Sequence, residues 1–439
     1  MDRDGRPASR PSPGQDRAGP GLALGAALTA PRAVARPHPP IWVMGLTNAT
    51  FGMMNGFAVV TLPQMLAAEG VPGGHIAAIT AAIISPGFWA FIFSPMLDVR
   101  LRRRTYALLF GVIAAIAVAV TVLHHGELGT VELVMLIGYL SAAFYQGSVG
   151  GWMGSLISPE EDSRLGTWFN IANVGSSGVI IVAGGPLILH SPPALGAAFM
   201  LLAMLLPTLL FPFIPASAPD KLLASESFGR FGRAILDLLR RRDVLIGLAL
   251  FVLPAASFSL TNVLGGLGKD YHANASTVSL FAGIGSIVAG LGGSFLVPRL
   301  ARRIELRPLY LLIGIAGAIF TLGTLLLPRA PWTFGVVFTG EIIFQALAFT
   351  AAFGIAFQII GPGNPLAATL FTLLIASMNL PIIYNGILDG WGYDRGGLVG
   401  SFVMDAGLRL AACILLAVGL RRWLFAPRAS PLAEPALPD

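Results

Sequence analysis

Asp98-Val-Arg-Leu-Arg-Arg-Arg104 follows the second apolar stretch of this chain, and Arg299-Leu-Ala-Arg-Arg303 follows the eighth. Basic turns at matching places in a series of twelve apolar stretches imply that one six-span unit occurs twice. Working outward from the two turns, the spans read as 41–68, 75–97, 105–123, 131–157, 167–189, 194–214, 244–267, 275–298, 308–327, 332–360, 367–388 and 400–424. A bilayer crossing takes roughly 20 mostly apolar residues, which each stretch supplies. The expected fold is an all-α membrane protein of twelve transmembrane helices in two pseudo-symmetric six-helix bundles. The first bundle covers 41–214 and the second 244–425. A cytoplasmic tail (1–40), a cytoplasmic linker (215–243) and a second tail (426–439) complete the organisation.

Composition supports the same class. Of the 439 residues 55% are hydrophobic and only 11% charged, and the mean hydropathy is +0.76. Soluble domains carry about 25% charged residues, so the bilayer must act as the solvent. The net charge of +6 would suit a nucleic-acid partner, but the basic residues lie between spans rather than on one face. The side shared by the termini holds 24 Lys and Arg and the opposite side three, Lys269, Arg329 and Arg395. The positive-inside rule then sets both termini in the cytoplasm, and the expected location is the inner (plasma) membrane. Residues before the first span are rich in Pro, Arg and Gly with Asp2, Asp4 and Asp16, the composition of a disordered tail rather than a cleaved leader. The linker stretch Phe228 to Leu239 suits an amphipathic helix on the inner membrane surface. A single cysteine, Cys413, builds neither a disulfide nor a thiolate metal site.

The repeat is visible residue by residue. Gly138-Tyr139 through Ser158-Pro159 is shadowed without a gap by Gly340-Glu341 through Ile360-Gly361, and the register then sets Thr167 on Thr369 and Phe169 on Phe371. Two six-span halves related by an axis along the membrane normal leave a cavity between them near the midplane.

Glu341 sits about nine residues into span 10, roughly 14 Å below the interface at 1.5 Å per residue. A carboxylate at that depth is protonated, paired or facing water, which are the terms on which a proton-coupling residue works; hydrogen bonding to a neighbouring helix, shared with Gln345, is the structural reading. Polar residues gather in corresponding helices: Asn48 and Asn55, then Tyr139, Tyr145 and Gln146, then Asn170 and Asn173, Asn262, and Asn379, Tyr384 and Asn385. Amides disfavour lipid, so these face protein or a cavity. Asn48, Asn55, Tyr139, Tyr145, Gln146, Asn262, Gln345 and Asn379 are the expected substrate-cavity residues. Asp98, Arg100, Arg103, Glu160 and Glu161 are the expected cytoplasmic gate. There Asp98 accepts from a helix N-terminus or pairs with an arginine, while the acidic run Pro159-Glu160-Glu161-Asp162 faces the arginines. Pro86, Pro254 and Pro381 are expected to kink their helices, and Asp405 and Arg409, one turn apart, to neutralise each other. His124 and His125 have no third ligand, so no metal is expected. Without a GxxxxGK[ST] run or a nucleophile and base, neither an ATP-driven pump nor an enzyme is expected, and no cofactor.

These motifs resemble the major facilitator superfamily. Phe93-Ser94-Pro95-Met96-Leu97-Asp98 with Arg102-Arg103-Arg104 is similar, more narrowly, to the AmpG-type muropeptide permease branch, which includes siderophore permeases and acetyl-CoA transporters. Gln146 to Trp152 followed by Pro159-Glu160-Glu161, Phe338-Thr339-Gly340-Glu341, and Phe371-Thr372-Leu373-Leu374 agree with it. The resemblance implies that Asp98 belongs to the inner gate, that Glu341 matches an acid of span 10, and that spans 1, 4, 7 and 10 line the cavity. Span 4 has Gly147-Ser148-Val149-Gly150-Gly151 where muropeptide permeases carry charges, and no Lys or Arg lies in the cavity helices. A phosphate-rich ester therefore ranks below a siderophore or glycopeptide. The expected activity is alternating-access import of a medium-sized polar organic solute with protons, by a monomer whose partners are that solute and the lipid bilayer. Export by the same fold and a non-transporting sensor or scaffold are the alternatives.

Overall fold

In a computed structural model, residues 38–216 and 236–424 are described, apart from 263 and 265, and all regular structure among them is helical. The tail, most of the linker with Phe228 to Ile235 of its expected surface helix, and the final segment lie outside the described residues; 236–240 are helical. The membrane helices are α1 Ile41–Ala68, α2 Gly73–Ile92, α3 Arg103–Leu123, α4 Leu128–Gly154, α5 Asp162–His190 and α6 Pro193–Phe213. After the linker come α7 Arg242–Val252, α8 over Ala275–Leu280 and Phe281–Leu300, α9 Leu306–Thr324 and α10 Pro331–Ile360. The last two, α11 and α12, share the continuous stretch Ala367–Gly419 and are divided at Gly397, whose φ of 58° and ψ of −146° reverse the chain. A positive φ costs glycine little.

Among the described residues ten helices are long and apolar enough to cross a bilayer, with the α11–α12 hairpin counted as one. The missing member is α7. Its helix ends at Val252 because Leu253 precedes Pro254, which pushes residue 253 into the extended region (φ −83°, ψ 146°) and supplies no amide of its own. The chain then passes through Phe258 at φ 49° into short 3₁₀ turns at Ser259–Asn262 and Gly266–Tyr271. Pro254 thus breaks its span outright, whereas Pro381 is carried inside a continuous helix. Backbone left unpaired by such a break persists at membrane depth only when buried in protein. Here α11 takes up one freed group, the Val252 carbonyl, to which the Tyr384 hydroxyl donates (2.6 Å), and it also ties the broken stretch by a side-chain bond from Asn385 Nδ2 to Ser257 Oγ (3.0 Å).

The two halves meet through α4 against α11 and α5 against α10, at positions where no side chain fits. A Cβ on Gly151 would lie 2.7 Å from the Ala367 carbonyl carbon, and one on Gly166 2.7 Å from the Gly354 amide nitrogen and 2.8 Å from the Thr350 oxygen. The repeat carries one contact onto the other, since the register pairs 166 with 368 and 151 with 353. Small residues let helices approach closely where lipid offers no hydrophobic drive. Next to these contacts four phenylalanines close the seam: Phe169 of α5 lies 5.5, 5.4 and 5.6 Å, ring to ring, from Phe353, Phe357 and Phe371. Phe169 and Phe371 are repeat mates.

Overpacking a tight contact costs about 1–3 kcal/mol. Gly166→Val and Gly151→Val are each expected to lower the melting temperature of the purified protein by several degrees, and Gly283→Val, where a Cβ meets nothing within 4 Å, to leave it unchanged. Equal melting of all three would show that these contacts do not hold the halves.

Candidate functional site

At the end of α2 the chain tightens into a 3₁₀ turn, Ser94–Asp98, which turns the Asp98 carboxylate inward, 2% exposed. It crosses to the other half. Asp98 Oδ2 accepts from the Thr369 amide (2.8 Å) and hydroxyl (2.7 Å), and Oδ1 from the Ala368 amide (3.2 Å), all in the first turn of α11. The opening amides of a helix have no partner within it and carry partial positive charge, so a carboxylate there satisfies donors and dipole together. Arg103, at the start of α3, donates from Nε to Asp98 Oδ1 (2.8 Å) and from Nη2 to the carbonyls of Asn364 (2.9 Å) and Pro365 (2.8 Å) in the turn before α11. One buried ion pair therefore grips both the turn and the helix of the opposite half.

The other residues expected at this gate lie elsewhere. Arg100, at φ 69°, and Glu160 are exposed. Glu161 does not face the arginine run. It accepts from the Ser158 amide (3.1 Å) and hydroxyl (3.0 Å) and meets His38 Nε2 at 3.1 Å, because the turn after α4 folds back on the residues before α1. Burial opposes its charge, but the Ser158 donors and His38 outweigh that and hold its carboxyl below the usual range.

The expected cavity residues divide into two groups. Gln146, Asn379 and Thr372, with Phe51, Gly147 and Ile375, line a small cavity of about 20 Å³ between the halves. Tyr139 reaches Asn55 Oδ1 (3.2 Å) within the first half, Asn262 is exposed on the broken stretch of α7, and Gln345 Nε2 donates to Thr261 beside it (2.7 Å). Asn48 and Tyr145 turn into the first bundle. Asn48 donates to the Phe169 carbonyl (3.1 Å) and accepts from Gln146 (3.3 Å). The Tyr145 hydroxyl donates to the Thr47 carbonyl (2.5 Å), a loose backbone group where α1 is irregular.

Glu341 belongs to a third assembly, wholly inside the second bundle. Arg409 of α12 donates from Nε to Asp405 Oδ2 (2.7 Å) and from Nη2 to Glu341 Oε2 (3.2 Å), with a further, very close Nη2 contact to Asp405. Its guanidinium lies 4.3 Å over the Phe258 ring. Thr321 of α9 joins Glu341 on the other side. The arginine therefore serves two acids, not Asp405 alone, and Gln345 has no part in holding Glu341. A third acid, Asp389 of α11, meets Ser259 Oγ at 2.5 Å, and that hydroxyl lies 3.0 Å from Asp405 Oδ1. Glu341, Asp389, Asp405 and Arg409 are all 0% exposed. Asp389 was hidden in the sequence because the apolar run ends at Leu388, so Asp389-Gly390-Trp391-Gly392 reads as a turn; the helix runs on for another two turns.

No family model and no curated protein matches the sequence. Solved structures do match its fold. The human organic anion transporter MFSD10 superposes with a TM-score of 0.63 at 17% identity, over 86% of this chain and 98% of that one. A Major Facilitator Superfamily transporter, FucP, in the outward conformation gives 0.67 at 14%, again over 86% and 98%. The proton:xylose symporter XylE gives 0.63 at 15%, over 88% and 96%. At such identities the match is one of architecture, and it runs through both six-helix halves: this chain has the fold of the major facilitator superfamily transporters.

Proposed function

We propose that the protein is a secondary transporter of the inner membrane that imports a medium-sized polar organic solute with protons, the bundles 41–214 and 244–425 rocking about the seam between them. The observation that carries this reading is the Asp98 carboxylate seated on the first turn of α11. Alternating access needs a contact between halves that is strong when made and replaceable by water when broken. A charged group on a helix N-terminus is both, because its donors and acceptor are well hydrated once apart. With the arginine-rich turns in the cytoplasm, the pinned state is closed inward by the Asp98 latch and the four phenylalanines. The solute meets Gln146, Asn379 and Thr372 between the halves, neutral hydrogen-bonding groups that suit a polar siderophore or glycopeptide better than a phosphate ester.

Glu341 is the group for which proton coupling is argued, XylE being a proton symporter by name. Arg409 supplies one positive charge and Asp405 already takes it, so an ionised Glu341 adds an uncompensated charge to a sealed interior. Thr321 has one hydroxyl proton, and the Gly317 carbonyl lies 2.9 Å from it. With that proton given to Gly317, Thr321 accepts from a protonated Glu341.

Two outcomes follow. Asp98→Asn removes the charge that grips α11 and Arg103, a loss of about 1.5–3 kcal/mol for charged hydrogen bonds, so the inward-open population should rise about tenfold or more. The readout is maleimide labelling from the cytoplasmic side of a cysteine placed at Thr372, and an unchanged rate would remove the latch from the mechanism. Glu341→Gln should abolish gradient-driven accumulation in proteoliposomes while sparing downhill exchange, tested with a ferric siderophore, an anhydro-muropeptide and a coenzyme A ester. Accumulation undiminished by the substitution would exclude Glu341 as the coupling group.

A further inference from the structure

The broken stretch of α7 and the buried acids of α11 and α12 share one hydroxyl, and hydrogen counting at that hydroxyl decides where a proton sits. Ser259 Oγ carries a single hydrogen but lies 2.5 Å from Asp389 Oδ2 and 3.0 Å from Asp405 Oδ1. Two carboxylates cannot both accept it. One of the contacts must run the other way, from a protonated carboxyl into the serine lone pair. Asp405 is the poorer candidate, since its Oδ2 is occupied by the Arg409 fork, an arrangement that favours the anion. Asp389 has no such partner: its Oδ1 meets no donor among the described residues. The charged groups facing Asp389 are Asp405 and Arg409 from α12 and Glu341 from α10. From α7 comes only the Ser259 hydroxyl, as no ionisable side chain lies between Asp243 and Lys269. With protons on both Asp389 and Glu341, the Asp405–Arg409 pair leaves the cluster neutral, the condition for burying four such groups without water.

Ser259 is placed so that it would register the loss of that proton. It opens the 3₁₀ turn Ser259–Asn262 and follows Phe258, whose φ of 49° is unfavourable for a residue with a Cβ. This turn is held by only a short backbone ladder, Thr261 N to the Phe258 carbonyl (3.3 Å) and Leu264 N to the Leu260 carbonyl (2.9 Å). Side chains add Asp389 and Asp405 on Ser259, Gln345 on Thr261, and the Thr261 hydroxyl on the Phe258 carbonyl. Asp389 also lies one turn from the exposed end of α11, where 393–396 face outward, on the side away from the arginine-rich turns.

We propose that Asp389 is a second proton-binding group, reached from the outer face, and that its proton fastens the broken stretch of α7 through Ser259. Protonated, Asp389 donates to Ser259, and Ser259 donates to Asp405, closing a chain from α11 through α7 to α12. When the proton leaves to water, two carboxylates compete for one hydroxyl hydrogen, one contact becomes repulsive, and the turn that carries Asn262 is released. This rests on the proton-coupled reading above, and it adds a second proton and the element that responds to it.

The test uses the full chain in lipid nanodiscs with no solute, so it stands or falls apart from any transport assay. The infrared carbonyl signal of protonated carboxyls is followed between about pH 6 and 9, the span in which a perturbed carboxylate would titrate. In parallel, maleimide labelling of Leu260→Cys, a position of the same turn that is buried, is measured relative to Glu160→Cys in an exposed turn, which removes the thiol's own pH dependence; native Cys413 is buried. The expected result is a protonated-carboxyl signal of which Asp389→Asn removes one group's share, and relative labelling at 260 that rises several-fold as pH rises. In Asp389→Asn labelling should stay low and flat, because the amide donates to Ser259 at every pH. Ser259→Ala should keep the infrared signal yet lose the pH dependence of labelling. An infrared signal untouched by Asp389→Asn, or a labelling profile that survives in it, would overturn the assignment. Failure to accumulate any solute while both readouts behave as expected would count against the transport reading and leave this one standing.

Discussion

A single carboxylate on the first turn of a helix from the other half of the molecule joins the two halves at their arginine-rich end. Asp98 satisfies two amides and a hydroxyl of α11 and is held in place by Arg103, which reaches past it to the preceding turn. The interaction is strong because every partner is buried and paired, and it is replaceable because each partner is readily hydrated. Hydrophobic contact between membrane helices gives no comparable preference for one arrangement, since lipid serves an apolar surface as well as protein does. The glycine contacts at 151 and 166 and the phenylalanine seam at 169, 353, 357 and 371 depend on the halves being drawn together at this face. They add close packing and exclude water once they are.

The halves differ in what they bury. Apart from the Asp98–Arg103 pair at its cytoplasmic end, the interior of the first bundle is joined by neutral hydrogen bonds such as Tyr145 to the Thr47 carbonyl, and Thr50 to the Met204 carbonyl (2.9 Å). The second encloses three carboxylates and one guanidinium. That excess of acid sits next to the membrane segment that Pro254 breaks, and the juxtaposition has a physical logic. Backbone groups freed at Leu253 and Pro254 need polar partners, and once α11 and α12 bring polar side chains to meet them, buried charge is tolerated nearby. A broken helix fastened by side chains is more easily released than one closed by its own ladder.

Much of the fold was legible from the chain. Apolar runs of bilayer length, basic residues confined to alternate turns, and the register that sets Gly138 on Gly340 lead to two six-helix bundles, because solvation by lipid imposes length and polarity locally. Helix ends were less legible where polar residues continue the helix inside protein: α11 runs past Asp389, which reads as a turn only if the surroundings are taken to be water. Pro254 gave a kink in the reading and a break in the structure. A lone proline does not show whether the neighbouring helices can pair the groups it frees, and here Tyr384 does so for the Val252 carbonyl.

The candidate sites were legible by residue type but not by partner. A carboxylate at a helix end and an acid at mid-membrane are conspicuous in an apolar sequence, so Asp98 and Glu341 drew attention at once. That Asp98 would seat on α11, that Glu161 would turn to His38, and that Arg409 would be divided between Asp405 and Glu341 could not be read, because each pairing joins residues whose separation in the chain says nothing of their separation in space. The sequence by itself determined how many times the chain crosses the bilayer, which residues are too polar to face lipid, and where one half repeats the other, since these follow from local solvation and order. Only the tertiary structure decided which polar groups meet, because hydrogen-bond partners in a dry interior are chosen by helix packing, and one hydroxyl between two carboxylates has no signature in the chain.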